Sequence, residues 1–237
     1  MSSIKDITTM CKAGHIDEAY EQASQDLEQS SNVWTQRAVG WVLYYKIKAA
    51  VENNDEEDLL SNLYELASLD ELSSSDDNMI YENVLFKIGS HVWKNLLPES
   101  PDTPSKLSEL FKVLTTYEND FECSKGYSFL LKGFIRHDTW TGIADFIDWW
   151  NLDKLTTEDY FPYQLENGRT VMSLAEQAFI TQAKALLRLN NRERIEAFLP
   201  QLEDLTERYP AMNYPGYFYG KLLLSLGGMN AEALQAL

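Results

Sequence analysis

Cysteine and histidine are scarce in this chain: its 237 residues hold two cysteines and three histidines. Cys11 and Cys123 stand far apart, and no Cys or His pair has the spacing of a metal-ligand set, so nothing points to structural zinc. Both thiols are expected as small buried hydrophobes rather than as a disulfide. No apolar run approaches the roughly 20 residues that a membrane-crossing helix needs. The start, Met1-Ser2-Ser3-Ile4-Lys5-Asp6, lacks the charged-then-apolar layout of a secretion signal. The expectation is a soluble, cytoplasmic protein with no membrane partner.

Positive charge is short as well, with 20 Lys and Arg against 37 Asp and Glu for a net charge of −17. A surface this acidic repels phosphate and acidic lipid as a whole, which leaves room only for a local basic site. Signatures of catalysis are missing too. There is no glycine-rich phosphate loop, no His-Glu-x-x-His pair and no nucleophile elbow. His15, His91 and His137 fall on different helical segments, and the carboxylates Asp145 and Asp148 have no third group to work with. The reading is therefore a non-enzyme, with no cofactor and no metal.

What is present is helical periodicity. Apolar residues recur at three- and four-residue spacing almost throughout, and β-type alternation is nearly absent, so the fold class is all-α. The pattern predicts about twelve helices, at 2–13, 15–30, 32–53, 55–70, 76–97, 104–120, 122–137, 139–150, 171–190, 192–209, 214–227 and from 229 onward. They pair into six consecutive hairpins. Start signals sharpen the boundaries: Asn32 ahead of Val33-Trp34, Asn54 ahead of Asp55-Glu56-Glu57, and Thr103 ahead of Pro104. Ser173-Leu174-Ala175-Glu176 has the form of a capping box, which moves that helix's start to about 174. Pro98-Glu99-Ser100-Pro101 and Tyr209-Pro210 act as stops.

Two stretches near the ends repeat one another, Gly14-His15-Ile16-Asp17-Glu18-Ala19-Tyr20 and Gly228-Met229-Asn230-Ala231-Glu232-Ala233-Leu234. In each, a turn glycine is followed by a small alanine where a second helix must lie close to the first. These two hairpins resemble the tetratricopeptide repeat, a helix-turn-helix unit of roughly 34 residues. Leu205-Thr206-Glu207-Arg208-Tyr209-Pro210 also resembles the end of such a repeat. The resemblance implies stacked antiparallel hairpins, an α-solenoid of degenerate tetratricopeptide-like repeats that forms a single domain over 1–237. Such stacks hold partners on a concave face. The final helix lacks a cap and a polar closing helix, so the chain is expected to be the N-terminal part of a longer protein.

One segment, about 151–170, breaks the helical period. It is expected as a lid-like insertion or as a small hairpin closed by Asn167-Gly168, with its aromatics either pinning it to the helices or serving a partner. The helix before it is apolar on two sides, with Trp140, Ile143, Ile147 and Trp150 in one stripe and Phe146 and Trp149 elsewhere.

Charge is unevenly spread. The resemblance would set the first helix of each pair after Gly14 on the concave face. Those helices carry eleven Lys or Arg and five acids, a net +6, which leaves −23 for everything else. Lys87, His91 and Lys94 share a helix face, as do Lys125, Lys132 and Arg136, and Lys184 with Arg188. These eight residues are the candidate partner-binding set. The favoured reading is a scaffold that captures an acidic or extended protein segment. The other is a sensor or regulatory domain of a multidomain nucleic-acid-processing or defence protein whose effector domain follows residue 237. Helix ends and neighbouring acids would also account for bases such as Arg136 and Arg188 without any partner.

Overall fold

The computed structural model describes residues 3–73, 79–117, 124–165 and 167–227. Among these, everything except loops and one tiny hairpin is helical, as the periodicity requires. The chain falls into two compact units, Met1–Leu130 and Leu131–Leu237, with one helix running across the division.

The first unit begins with α1 (Ile4–Lys12) and α2 (Ile16–Gln29). Gly14 turns the chain between them at φ 92°, a left-handed conformation that a β-carbon would strain. Ala19 and Ala23 are fully buried, and their small side chains let α2 close on its neighbours. Next comes α3 (Val33–Asn53), which packs against α1, α2, α4 (Glu56–Ala67), α5 (Asp70–Ser73) and α6 (Met79–His91). That central position explains why α3 is apolar around most of its circumference, with Val39, Val42, Leu43 and Ile47 all buried. Past His91 the backbone loosens into a π turn, Val92–Leu96, then α7 (Thr103–Leu114) returns against α4. The start of α8 (Ser124–Arg136) completes this unit.

The second unit holds the rest of α8, then α9 (Trp140–Trp149), α10 (Leu174–Leu189), α11 (Arg192–Arg208) and α12 (Tyr214–Ser225). α10 is the central element and touches α9, α11 and α12. Its alanines Ala175, Ala178, Ala183 and Ala185 are fully buried, which permits this close packing. Phe134, Phe146, Phe198, Leu202 and Leu222 are buried in this unit. No helix among the described residues is long and apolar enough to cross a membrane.

The capping signals are resolved in detail. Asn32 accepts from the backbone N–H groups of Trp34 and Thr35 at 3.0 and 3.3 Å, while the Thr35 hydroxyl accepts from Asn32 N–H at 3.0 Å. That reciprocal pair is a capping box. Asn54 is not the cap of α4. It closes α3 in a left-handed conformation at φ 56°, and Asp55 caps α4 by accepting from Asp58 N–H at 3.1 Å. Thr103 is already the first helical residue of α7 rather than the residue ahead of it. Ser173 does cap α10, accepting from Glu176 N–H at 3.1 Å. The other half of the expected box is redirected, since the Glu176 carboxylate accepts from the Tyr214 backbone N–H at 3.1 Å and so ties α10 to the start of α12.

The 151–170 segment contains two short 3-10 turns, Leu152–Lys154 and Glu158–Tyr160, and an antiparallel hairpin of β1 (Tyr163–Gln164) and β2 (Thr170–Val171). Gly168 at φ 77° forms its turn beside Asn167. Tyr160 stacks on Tyr209 at 4.9 Å, which pins the segment to the end of α11. In α9 the expected stripe is altered. Ile143, Ile147 and Trp150 are buried, but Phe146 joins them, stacked on Trp150 at 5.4 Å, and Trp140 is 47% exposed. Trp140 stands at the first position of its helix, beyond the reach of the core. Cys11 is buried as expected, whereas Cys123 and the second repeat motif at 228–234 lie outside the described residues.

Candidate functional site

The candidate bases divide between the units, with Lys87, His91, Lys94 and Lys125 in the first and Lys132, Arg136, Lys184 and Arg188 in the second. In the first unit α6 and α8 cross at very short range. An ideal β-carbon on Gly126 would stand 2.7 Å from the Leu85 carbonyl oxygen, and one on Gly89 would stand 2.8 Å from the Phe129 ring. The two glycines therefore admit α8 and seat Phe129 across α6.

Phe86 precedes Gly89 on α6 and Trp93 follows it in the π turn, so the two aromatics come from consecutive elements. Phe86 is 54% exposed and Trp93 55%, and Met79, seven residues ahead of Phe86, is 57% exposed. The Trp93 ring lies 5.7 Å from that of Phe129, and the Lys125 ammonium lies 5.4 Å from the centre of Phe86. Lys87 and Lys94 each follow one of these aromatics in sequence, Lys87 half-buried and Lys94 exposed. The outcome is a set of exposed aromatics with Lys125 over Phe86, while Lys87 and Lys94 are placed beside them by sequence.

His91 does not belong to that surface. It is buried at 1% exposure, where its Nδ1 lies 3.0 Å from Asn95 Nδ2. It lines a cavity of about 110 Å³ together with Leu59, Leu96 and Leu110, beside the Glu56–Lys106 ion pair at 2.7 Å. Burial pushes its pKa below the ordinary value, with Glu56 opposing and Lys106 reinforcing the shift, so the ring is held neutral. The expected line of Lys87, His91 and Lys94 is broken at His91, which is buried against residues of α4 and α7 while Lys87 is half-buried and Lys94 exposed.

In the second unit Lys132 and Lys184 come near one another. The Lys184 ammonium is 5.9 Å from the Phe218 ring; desolvation lowers its pKa, and the Lys132 charge lowers it further, although the residue's side chain remains exposed overall. Lys132 and Arg136 are exposed on α8. Arg188 forms an ion pair with Asp138, its guanidinium 5.0 Å from the centre of Trp140. This arginine thus sits among local partners, as a helix-end base can.

The sequence reading singled out the lysines and passed over Phe86, Trp93 and Met79. Their signal was available. Ile80, Val84 and Ile88 already supply a buried stripe for α6, so the apolar residues at 79, 86 and 93 are in excess of what its core needs.

No family model matches this chain, and no curated protein or solved structure matches it either.

Proposed function

We propose that the protein is a non-enzymatic interaction scaffold that captures an acidic, amphipathic segment of another protein on the surface built by Phe86, Trp93 and Phe129. The observation that carries this reading is the exposure of Phe86 and Trp93, with the Lys125 ammonium 5.4 Å from the centre of the Phe86 ring and Lys87 and Lys94 next to the two aromatics in sequence. Exposed aromatic anchors would fit the apolar side chains of a second helix or an extended strand, and nearby lysines would select a partner of opposite charge. In a molecule of net charge −17, a local basic and apolar surface is the place where an acidic segment meets least repulsion.

The stacked-hairpin reading is part of the same proposal. α1 neighbours both α2 and α3, α3 neighbours α4 and α6, and α4 neighbours α7, the succession that tetratricopeptide-like stacking would produce. Its concave face would then include α3, α6 and the start of α8.

The test is a titration of the isotope-labelled chain, followed by amide chemical shifts, with a peptide of leucines at seven-residue spacing flanked by glutamates. A lysine-flanked counterpart and a single-stranded oligonucleotide serve as comparisons. The proposal expects the acidic peptide to shift α6 and the start of α8, with affinity falling modestly as salt rises. Stronger binding by the oligonucleotide, with a steep log-linear salt dependence, would favour the nucleic-acid reading instead.

A further inference from the structure

One stripe of α3 reaches solvent. Trp34, Arg37, Trp41, Tyr44, Tyr45 and Lys48 recur at three- and four-residue spacing and so share a helix face, while Val39, Leu43 and Ile47 turn into the core. Trp34 is 57% exposed and the other five are half-buried. The solvent side of a helix ordinarily carries charged and small polar residues. Here it carries four aromatics and two cations, and the first acid of α3 is Glu52.

These side chains support one another. Trp41 meets Tyr44 edge-on at 5.8 Å, Tyr44 meets Tyr45 at 5.2 Å, and the Arg37 guanidinium lies 5.1 Å from the centre of the Trp34 ring. Rings held by their neighbours lose little freedom when a partner lies on them. The stripe is also rich in donors. Among the described residues the Tyr44 and Tyr45 hydroxyls and the Trp34 and Trp41 indole N–H groups make no hydrogen bond. Burial raises the pKa of both phenols, so they stay protonated and can donate. Lys48 meets Glu52 at 4.0 Å with its side chain 40% exposed, which leaves the ammonium within reach of solvent.

A proline-rich segment complements such a surface. Proline has no N–H, so a polyproline II strand offers carbonyl acceptors without internal partners, next to apolar rings. Trp34 and Trp41 are seven residues apart, about 10.5 Å along the helix, and polyproline II repeats after three residues, about 9.3 Å, so two prolines on one edge of the strand match the two indoles. Charge narrows the partner further. From 33 to 51 the chain has three bases, Arg37, Lys46 and Lys48, and no acid, in a molecule of net charge −17, which favours acidic residues between the prolines. We propose that the α3 stripe docks an acidic, proline-rich segment of another protein in the polyproline II conformation. It uses no residue of the α6 and α8 surface, so its failure and the failure of the scaffold reading are separable.

The experiment titrates the full isotope-labelled chain with a peptide of repeated Glu-Pro-Pro triplets. Lys-Pro-Pro repeats keep the conformation and reverse the charge, Glu-Ala-Ala repeats keep the charge and lose the conformation, and a single-stranded oligonucleotide supplies a different polyanion. The proposal expects the Glu-Pro-Pro peptide to shift the Trp34 and Trp41 indole N–H signals and the α3 amides, and to bind about tenfold more tightly than any of the three comparisons. Trp34→Ala, at an exposed position, should weaken binding about tenfold, and Tyr44→Phe, which keeps the ring and removes the donor, about fivefold. Lys87→Glu with Lys94→Glu should leave this affinity unchanged. Equal binding of the Glu-Ala-Ala or Lys-Pro-Pro peptide, tighter binding of the oligonucleotide, shifts confined to α6 and α8, wild-type affinity in Trp34→Ala, or no saturable binding would overturn the proposal.

Discussion

Gly89 and Gly126 face one another where α6 crosses α8: an ideal β-carbon on Gly89 would lie 3.4 Å from the Cα of Gly126. The approach is close because neither residue has a side chain, and it brings Phe129 over Gly89, with its ring 5.7 Å from that of Trp93. Gly126 has the less forgiving neighbour, the Leu85 carbonyl oxygen. Gly126→Ala is expected to destabilise the protein by about 2 kcal/mol, the scale of overpacking at a close contact. Thermal unfolding checks it, and an unchanged midpoint would mean that the two helices are free to separate.

The Asn32 capping box predicts a smaller, local effect. Asn32→Ala removes the acceptor for two first-turn N–H groups of α3 and should cost about 1 kcal/mol by urea unfolding. Asn32→Asp retains an acceptor oxygen and should recover most of that loss.

Glu176 gives a sharper comparison. The residue is 7% exposed and its carboxylate accepts from the Tyr214 backbone N–H, so Glu176→Ala leaves that donor without its partner. The expected cost is about 1–3 kcal/mol, with Glu176→Gln less harmful because an acceptor oxygen remains. Equal losses in the two variants would show that packing, and not the hydrogen bond, sets the value of the residue.

His91 predicts a pH dependence with a definite sign. Its folded pKa lies below the ordinary 6.5 because the ring is buried. Well above 6.5 the imidazole is neutral in both folded and unfolded chains and adds no slope. As pH falls through that value the unfolded chain takes up the proton first, so stability is lost from about 6.5 downward toward the depressed folded pKa. The difference in unfolding free energy between wild type and His91→Gln, measured from pH 7.5 to 5, isolates the group. That difference should move against the wild type as the solution is acidified, and a flat or opposite trend would contradict the assignment.

Much of the fold was legible in the sequence for local reasons. Helical periodicity placed most of the described helices, although the one expected at 104–120 ends at Leu114, the one expected at 76–97 gives way to a π turn after His91 and the short α5 was not expected; Asn32, Ser173 and Gly14 marked boundaries through chemistry confined to one turn. Legibility stopped where a residue's partner is distant in the chain. Glu176 looked like half of a capping box, but its oxygen serves α12, 38 positions away. Asn54 had the composition of a cap, yet its left-handed conformation closes the helix before it, and Asp55 takes the capping role. His91 followed Lys87 by one helical turn, but its burial depends on α4 and α7, which spacing along α6 does not reveal. The lysines of the candidate surface were found from charge alone. The aromatics beside them were missed because an apolar residue on a helix is ordinarily assigned to the core, and only tertiary packing shows that Phe86 and Trp93 lie outside it.

The scaffold reading is tested most directly by site-specific photocrosslinking in the native cell, with a benzophenone amino acid placed at Phe86, at Trp93, or at exposed Glu57 on α4 as a control. The account predicts a discrete protein adduct at positions 86 and 93 but not at 57. The crosslinked peptide should be acidic and amphipathic, and Lys87→Glu, Lys94→Glu and Lys125→Glu together should abolish the adduct. Adducts of equal yield at all three positions, an adduct indifferent to the charge reversal, or crosslinks to nucleic acid at 86 and 93 would contradict it.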